Sequence, residues 1–399
     1  MRIAQVDVFY LALPTITDAA DGTQDSVLVR VRDEKGREGW GECDASPLVT
    51  IAAYVCPTSH GNIQSLSRIL VGQWFESPND VRRIAADVHR RALDVEQVHH
   101  AFSGAEIAMW DLLGKARGEP VWKLLEEGSA GTGGARAHPK LPYASVLFAD
   151  TPKECEERAR SLRARGFRAA KFGWGPLGSD EALDLALVRA ARAGLGSDAE
   201  LMIDAGCAWG EEDETAHRRA ALFAETRPTW LEEPLSPDAV AAYRRLRDRR
   251  AAVPIACGEG ANRYRFAEDL IENAGLGFIQ IDAGRIGGLD ASWRVRRLAE
   301  ARGIVYVNHT FKSHLSLAAA LHVFATAEPF HYLEYPAGGS ALSDGLVENP
   351  LLPGPDGLVR LHDAPGIGVT ISRATVKRFL RDVEIRDRGA VIYRTPSVE

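Results

Sequence analysis

Residues 200–206, 229–235 and 254–260 read ELMIDAG, TWLEEPL and PIACGEG. Each is a short apolar run that ends on an acidic residue and then meets glycine or proline, the pattern of a buried strand with a polar tip. Between them lie stretches of about a dozen residues with helical apolar spacing. Five further runs have the same form: YASVLF (143–148), RAAKFGW (168–174), GFIQIDAG (277–284), IVYVNHT (304–310) and HYLEYP (331–336). Eight strands alternating with helices imply right-handed crossovers and a parallel sheet, and eight such strands close into a (β/α) barrel. An open doubly wound sheet is the competing α/β fold, but no G-x-G-x-x-G follows the first strand, where that fold would need it.

Upstream, IAQVDVFYLALP (3–14) and SVLVRVRDEKGREGWGE (26–42) read as antiparallel strands, with Asp33, Glu34, Lys35 and Gly36 supplying a hairpin turn. From about residue 79 to 127 the spacing turns helical, giving an α+β unit, and the small-residue stretch GSAGTGGARAHPK (128–140) reads as a linker. Beyond residue 340 the helical pattern fails, and the remainder is expected to be irregular and to return to the first domain. The boundaries are set at 1–130 for the α+β domain, 131–340 for the barrel and 341–399 for the returning segment.

At 399 residues, with 45% hydrophobic and 26% charged residues, the chain has the balance of an ordinary globular protein, longer than one core usually supports. A net charge of −7 argues against nucleic acid as a partner, since phosphate binding needs a basic surface. The runs offer no span for a bilayer, and Asp7 interrupts any signal-peptide core. Five cysteines without a C-x-x-C pair fit a reducing cytoplasm. The expectation is a cytoplasmic homo-oligomer with a small-molecule carboxylate substrate and neither nucleic-acid nor membrane partners.

Six residues mark the C-terminal ends of successive runs: Asp204, Glu232, Glu259, Asp282, His309 and Glu334, separated by 28, 27, 23, 27 and 25 residues. Each step is about one βα unit, so all six should converge on the barrel mouth, the face that carries active sites. Three converging carboxylates, Asp204, Glu232 and Glu259, repel one another unless a cation lies between them. Oxygen-only ligation selects a hard ion, Mg²⁺ before Mn²⁺ or Ca²⁺. Glu233 should point to the other side of its strand and play a supporting role. Asp282 beside His309 would fix the imidazole tautomer and raise its basicity, making a general base. Lys171, across the proposed metal, would stabilise the enediolate formed when the proton α to a carboxylate leaves.

The strings GWGE (39–42), GAEIAMWDLLGKARGEPVWKLL (104–125), GFRAAK (166–171), MIDAG, WLEEPL, CGEG, QIDAGRIGG, VNHT and YLEYP, in this order, resemble the mandelate racemase subgroup of the enolase superfamily. The resemblance implies a (β/α)₇β TIM-like barrel with an N-terminal capping domain completed by the C-terminal segment. It implies Asp204, Glu232 and Glu259 as Mg²⁺ ligands, Asp282 and His309 as the catalytic dyad, and Glu334 as a protonated donor to the substrate carboxylate. Many relatives carry Lys-x-Lys on the second barrel strand, with the second lysine as the base opposite the histidine; this chain reads Lys171, Phe172, Gly173. The family resemblance also implies a selectivity lid from the capping domain. Loops 14–25 and 49–62 are placed for it, with Asp18, Asp21, Tyr54 and His60 to read substrate hydroxyls; Trp174, in the loop after the second barrel strand, is a further candidate substrate-binding residue.

One base suits elimination, so the leading expectation is dehydration of a sugar acid to a 2-keto-3-deoxy acid. A racemase or epimerase of a 2-hydroxy acid is the alternative. A lactone-forming cycloisomerase is more remote, because that subgroup places a lysine where His309 stands. A barrel that binds metal and ligand without turnover is the non-enzyme alternative, and it has no need of a base.

Overall fold

A computed structural model of the chain describes residues 1–19, 21–61, 63–92, 98–127, 136–327 and 331–399. Strands β1 (Ile3–Ala12), β2 (Asp25–Asp33) and β3 (Glu38–Cys43) form an antiparallel meander. Asp33 shapes the β2–β3 turn, its Oδ1 accepting from the backbone N–H groups of Lys35 and Arg37, while Gly36 takes the left-handed conformation the turn needs (φ 76°). Helices α1 (Pro47–Val55), α2 (Leu66–Leu70), α3 (Pro78–Arg91), α4 (Val98–Arg117) and α5 (Val121–Leu125) complete this capping domain.

The GWGE string has a packing reason. A Cβ on Gly41 would lie 2.1 Å from the Gly104 carbonyl oxygen and one on Gly39 1.9 Å from that of Ala108, so only glycine lets β3 lie directly on α4. That contact leaves α4 buried along most of its length.

The barrel strands are β4 (Leu141–Leu147), β5 (Ala169–Gly173), β6 (Glu200–Asp204), β7 (Trp230–Glu232), β8 (Ile255–Cys257), β9 (Phe278–Ile281), β10 (Val305–Asn308) and β11 (Tyr332–Pro336). All eight fall on the expected runs and are parallel, in the order β10-β9-β8-β7-β6-β5-β4-β11. Helices α6 (Pro152–Ala164), α7 (Glu181–Leu195), α8 (Asp213–Phe223), α9 (Val240–Asp248), α10 (Tyr264–Asn273), α11 (Leu289–Ala301) and α12 (His314–Val323) alternate with them. Between β10 and β11 side chains do the joining. The Asn308 amide donates to the Glu334 carbonyl and accepts from the Glu334 N–H (3.3 and 2.9 Å), and the His331 ring bonds to the Tyr306 carbonyl.

Inside the barrel, Tyr143, Ala169, Met202, Trp230, Ala256 and Val307 make a floor of apolar side chains. With a side-chain period of two, the next inward residue on β5, β6, β7 and β10 is Lys171, Asp204, Glu232 and His309. The floor therefore sets the height of the polar layer above it. Trp230 stacks edge-on against Tyr143 (centroids 5.4 Å apart) and donates its indole N–H to Glu232 at 3.0 Å.

Two expectations need correction. Segment 49–62 is not all loop: its first half belongs to α1, whose Ile51, Ala53 and Tyr54 are buried. The last sixty residues are not merely irregular, for they hold α13 (Ala341–Gly345), α14 (Arg373–Phe379) and the hairpin β12 (Glu384–Asp387)–β13 (Ala390–Arg394). Their end contacts the cap: Tyr393 donates to the Val8 carbonyl at 2.7 Å, and buried Arg30, paired with Asp7 at 2.9 Å, also donates to the Ser397 carbonyl at 2.8 Å. Of the expected linker, residues 128–135 lie outside the described residues, as do Ala20 and Asn62 of the two lid segments.

Candidate active site

The barrel mouth opens into a cavity of about 310 Å³ lined by Lys171, Gly173, Asp204, Glu259, His309 and Glu334 from the barrel and by Asp21, Gly22 and Asp44 from the cap. Asp204 and Glu232 are the last residues of β6 and β7, Glu259 lies two residues beyond β8, and Asp282 and His309 directly follow β9 and β10. Glu334 sits at the middle of β11, facing inward. Neighbouring strands thus deliver all six side chains to one place.

Asp204, Glu232 and Glu259 each offer a carboxylate oxygen, and these oxygens lie within 4.8 Å of one another. Burial first, then the charge of Glu232, holds the Asp204 carboxyl well above its ordinary range; burial raises Glu232 as well. Such a set of buried anions calls for a cation. Lys171 partly answers it, with its Nζ 2.5 Å from Glu232, 2.8 Å from Glu334 and 3.4 Å from Asp204. Burial works against the ammonium, but the three carboxylates outweigh it and hold Lys171 firmly protonated. The oxygen-only donors and their shortage of positive charge fit a hard divalent ion such as Mg²⁺. Glu233 stands apart: in a left-handed conformation (φ 36°), it accepts from Gly258 N–H and Cys207 Sγ, and burial pushes it up to about 7.

His309 Nδ1 lies 2.8 Å from Asp282 Oδ2, and its Nε2 faces the cavity at 3.2 Å from Glu259 and 4.0 Å from Glu334. Asp282 is itself fixed, accepting from Gly284 N–H at 2.6 Å. Burial disfavours the imidazolium, yet Glu259 and Glu334 overcome it and lift His309 to about 10. Glu334 Oε2 accepts from Thr310 N–H at 2.7 Å, and its other oxygen faces Lys171 at 2.8 Å.

The second-lysine position has a steric explanation. Gly173 faces inward, paired with Asp204 across β5 and β6, and a Cβ there would meet the Asp204 Cβ at 2.7 Å and its carboxylate at 2.9 Å. A side chain at this position would require Asp204 to shift.

The lid residues divide. Asp21 and Trp174 line the cavity. Tyr54 does not: it is fully buried in the cap core, its hydroxyl donating to the Ala101 carbonyl at 2.7 Å. Asp18 and His60 are exposed and away from the cavity lining, His60 bonding to Ser59 at 3.2 Å. Sequence reasoning did not single out Asp44 or Arg285, both of which line the cavity; Arg285 lies within the QIDAGRIGG string, three residues after Asp282.

The family described as "Mandelate racemase / muconate lactonizing enzyme, N-terminal domain" matches residues 8–126, and "Enolase C-terminal domain-like" matches residues 154–375. The chain belongs to the mandelate racemase subgroup of the enolase superfamily. A Rhodobacter sphaeroides protein whose crystal structure is described as a predicted mandelate racemase shares this subgroup architecture, with a TM-score of 0.93 and 47% identity over 99% of this chain and 100% of that one. Among curated relatives, D-galactarolactone cycloisomerase of Agrobacterium fabrum is 31% identical over 374 residues (88% of this chain, 90% of the relative). D-galactonate dehydratase of Klebsiella pneumoniae is 27% identical over 372 residues (89% and 91%). Racemases are also among the relatives, including an N-succinyl-L-Arg/Lys racemase of Bacillus cereus at 23% identity over 95% of this chain and 98% of the relative. Among the described residues no helix is long and apolar enough to cross a membrane.

Proposed function

We propose that this member of the mandelate racemase subgroup removes the proton α to the carboxylate of a sugar acid and expels the β-hydroxyl, giving a 2-keto-3-deoxy acid. Asp204, Glu232 and Glu259 would hold Mg²⁺, which supplies Lewis-acid stabilisation of the enediolate. With the charge of Glu259 taken up by the metal, His309 would be neutral and take the α-proton at Nε2, while Asp282 on Nδ1 keeps that tautomer and supports the imidazolium as it forms. The imidazolium then gives the proton to the departing β-oxygen, so that water leaves and the enol becomes the keto acid. Lys171 remains protonated and offsets the charge that develops on the substrate. Glu334 orients Lys171 and stands beside the carboxylate to be bound.

The observation that carries this reading is Gly173. With no ionisable side chain at this position, protons leave and return on the His309 side of C2, which serves elimination and not racemisation. A second reading is supported by the cycloisomerase at 31% identity. If the β-oxygen belongs to a ring, the same two steps open the ring, and the outcome is isomerisation rather than dehydration.

The test is a panel of aldonic and aldaric acids and their lactones, incubated with Mg²⁺ and assayed for 2-keto acid, with C2 deuterium followed in D₂O. Product from open-chain acids supports dehydration, and product from lactones alone supports the ring-opening reading. Full turnover in excess chelator would sink the metal assignment, and deuterium on both faces of C2 would move racemisation ahead.

A further inference from the structure

Asp44 links the cap to the barrel's acidic cluster. Asp44, directly after β3, donates its backbone N–H to the Gly284 carbonyl at 3.1 Å, seating it on the turn that follows β9. One of its carboxylate oxygens, Oδ2, receives both Nε and Nη2 of Arg285, at 2.8 and 2.7 Å. The remaining nitrogen, Nη1, points the other way and lies 3.3 Å from both the carbonyl oxygen and Oε1 of Glu259. The other Asp44 oxygen faces Lys312 at 3.4 Å, which is held in turn by Asp25 of β2 at 3.1 Å. The turn that receives Asp44 begins at Asp282, the partner of His309. A Cβ on Gly284 would come within 3.0 Å of both the Asp44 nitrogen and Asp282 Oδ1, so the three groups are in close contact.

We propose that Asp44 and Arg285 are a positioning pair that makes metal affinity depend on the seating of the capping domain. This rests on the reading of Glu259 as a metal ligand. Arg285 is a permanent cation within reach of that ligand, and left to itself it would take the Glu259 carboxylate in a two-pronged ion pair and compete with the metal. Asp44 engages the Nε and Nη2 edge of the guanidinium and neutralises much of its charge, leaving Nη1 to orient Glu259. Only a docked cap supplies Asp44, so an undocked cap exposes Glu259 to Arg285 and weakens the metal site.

Mg²⁺ binding to the full chain, followed by calorimetry without substrate and checked with Mn²⁺ as a paramagnetic probe, tests this independently of turnover. Asp44→Asn is expected to weaken Mg²⁺ binding by about tenfold, the scale seen when partners of metal ligands are removed. Asp44→Glu should recover most of it. In an Arg285→Gln background, Asp44→Asn should change affinity by less than about twofold, because its effect requires the guanidinium. Equal affinities for wild type and Asp44→Asn, or additive effects of the two substitutions, would overturn the pair. Should Asp44→Asn not fold, Arg285→Lys, which keeps the charge but loses the paired Nε and Nη2 donors, is expected to weaken Mg²⁺ binding similarly, and unchanged affinity there overturns the idea as well. A wild-type chain that binds no Mg²⁺, or binding indifferent to Glu259→Gln, would instead count against the metal site itself.

Discussion

Gly173 and Asp204 sit side by side on adjacent barrel strands, so close that a single added carbon on the glycine would press on the aspartate Cβ at 2.7 Å. A side chain at position 173 is therefore expected to displace the Asp204 carboxylate. Gly173→Ala is expected to tilt the Asp204 carboxylate and lower Mg²⁺ affinity by about tenfold. Gly173→Lys should do the same without conferring racemisation. Calorimetric titration with Mg²⁺ and C2 exchange in D₂O check the two halves; a lysine variant that delivers deuterium to both faces would refute the steric account.

His309 is expected to be the sole base. His309→Asn should reduce both turnover and α-proton exchange by about a thousandfold or more while Mg²⁺ still binds. Proton NMR of C2 in D₂O reads exchange directly. Exchange that survives in the variant would require another base on the cavity wall.

Trp174 holds a left-handed backbone (φ 54°) with its ring against Gly206, where a Cβ would strike the indole at 2.7 Å. At 41% exposure it is the large apolar face at the cavity edge. Trp174→Ala should change kcat/KM unevenly across a series of sugar acids and leave α-exchange in place. A uniform change across the series would show that the ring is structural.

Stability should fall in mild acid for a reason outside the active site. His322 is buried where α12 meets the cap: its Nδ1 accepts from Trp122 N–H at 3.1 Å, and its Nε2–H donates to the Ile367 carbonyl at 3.1 Å. Burial holds its pKa down to about 4, against an ordinary 6.5. Between those values the unfolded chain binds the extra proton and the folded chain does not, so stability is full above the unfolded value and declines as pH drops towards 4. Moving from pH 7.5 to pH 5 should cost about 2 kcal/mol from this residue. Urea unfolding of His322→Gln should show a smaller loss over the same interval, and an identical loss would rule the residue out.

The barrel and its acidic cluster were legible because strand alternation and helix length are short-range patterns. Asp204, Glu232, Glu259, Asp282, His309 and Glu334 follow from spacing alone once eight strands are recognised. Tyr54 was misread because its hydroxyl looked available for substrate, whereas the helical spacing of Ile51 and Tyr54 turns it into the core, towards a backbone carbonyl 47 residues away. Asp44 and Arg285 were hidden for a different reason. They are 241 residues apart, and nothing in either local stretch signals that the cap and barrel surfaces will bring them together.

The joint between β10 and β11 makes the barrel a hoop with one laced seam. Elsewhere, ladder hydrogen bonds recur along each pair of strands, so the loss of one leaves others to hold the register. At the seam the lacing passes through the Asn308 amide and the His331 ring, and the two strands it draws together bear His309 and Glu334. The spacing between base and carboxylate thus depends on two replaceable side chains and the Thr310 N–H bond to Glu334, and drift at this seam would reach the reacting atoms before it disturbed the rest of the hoop.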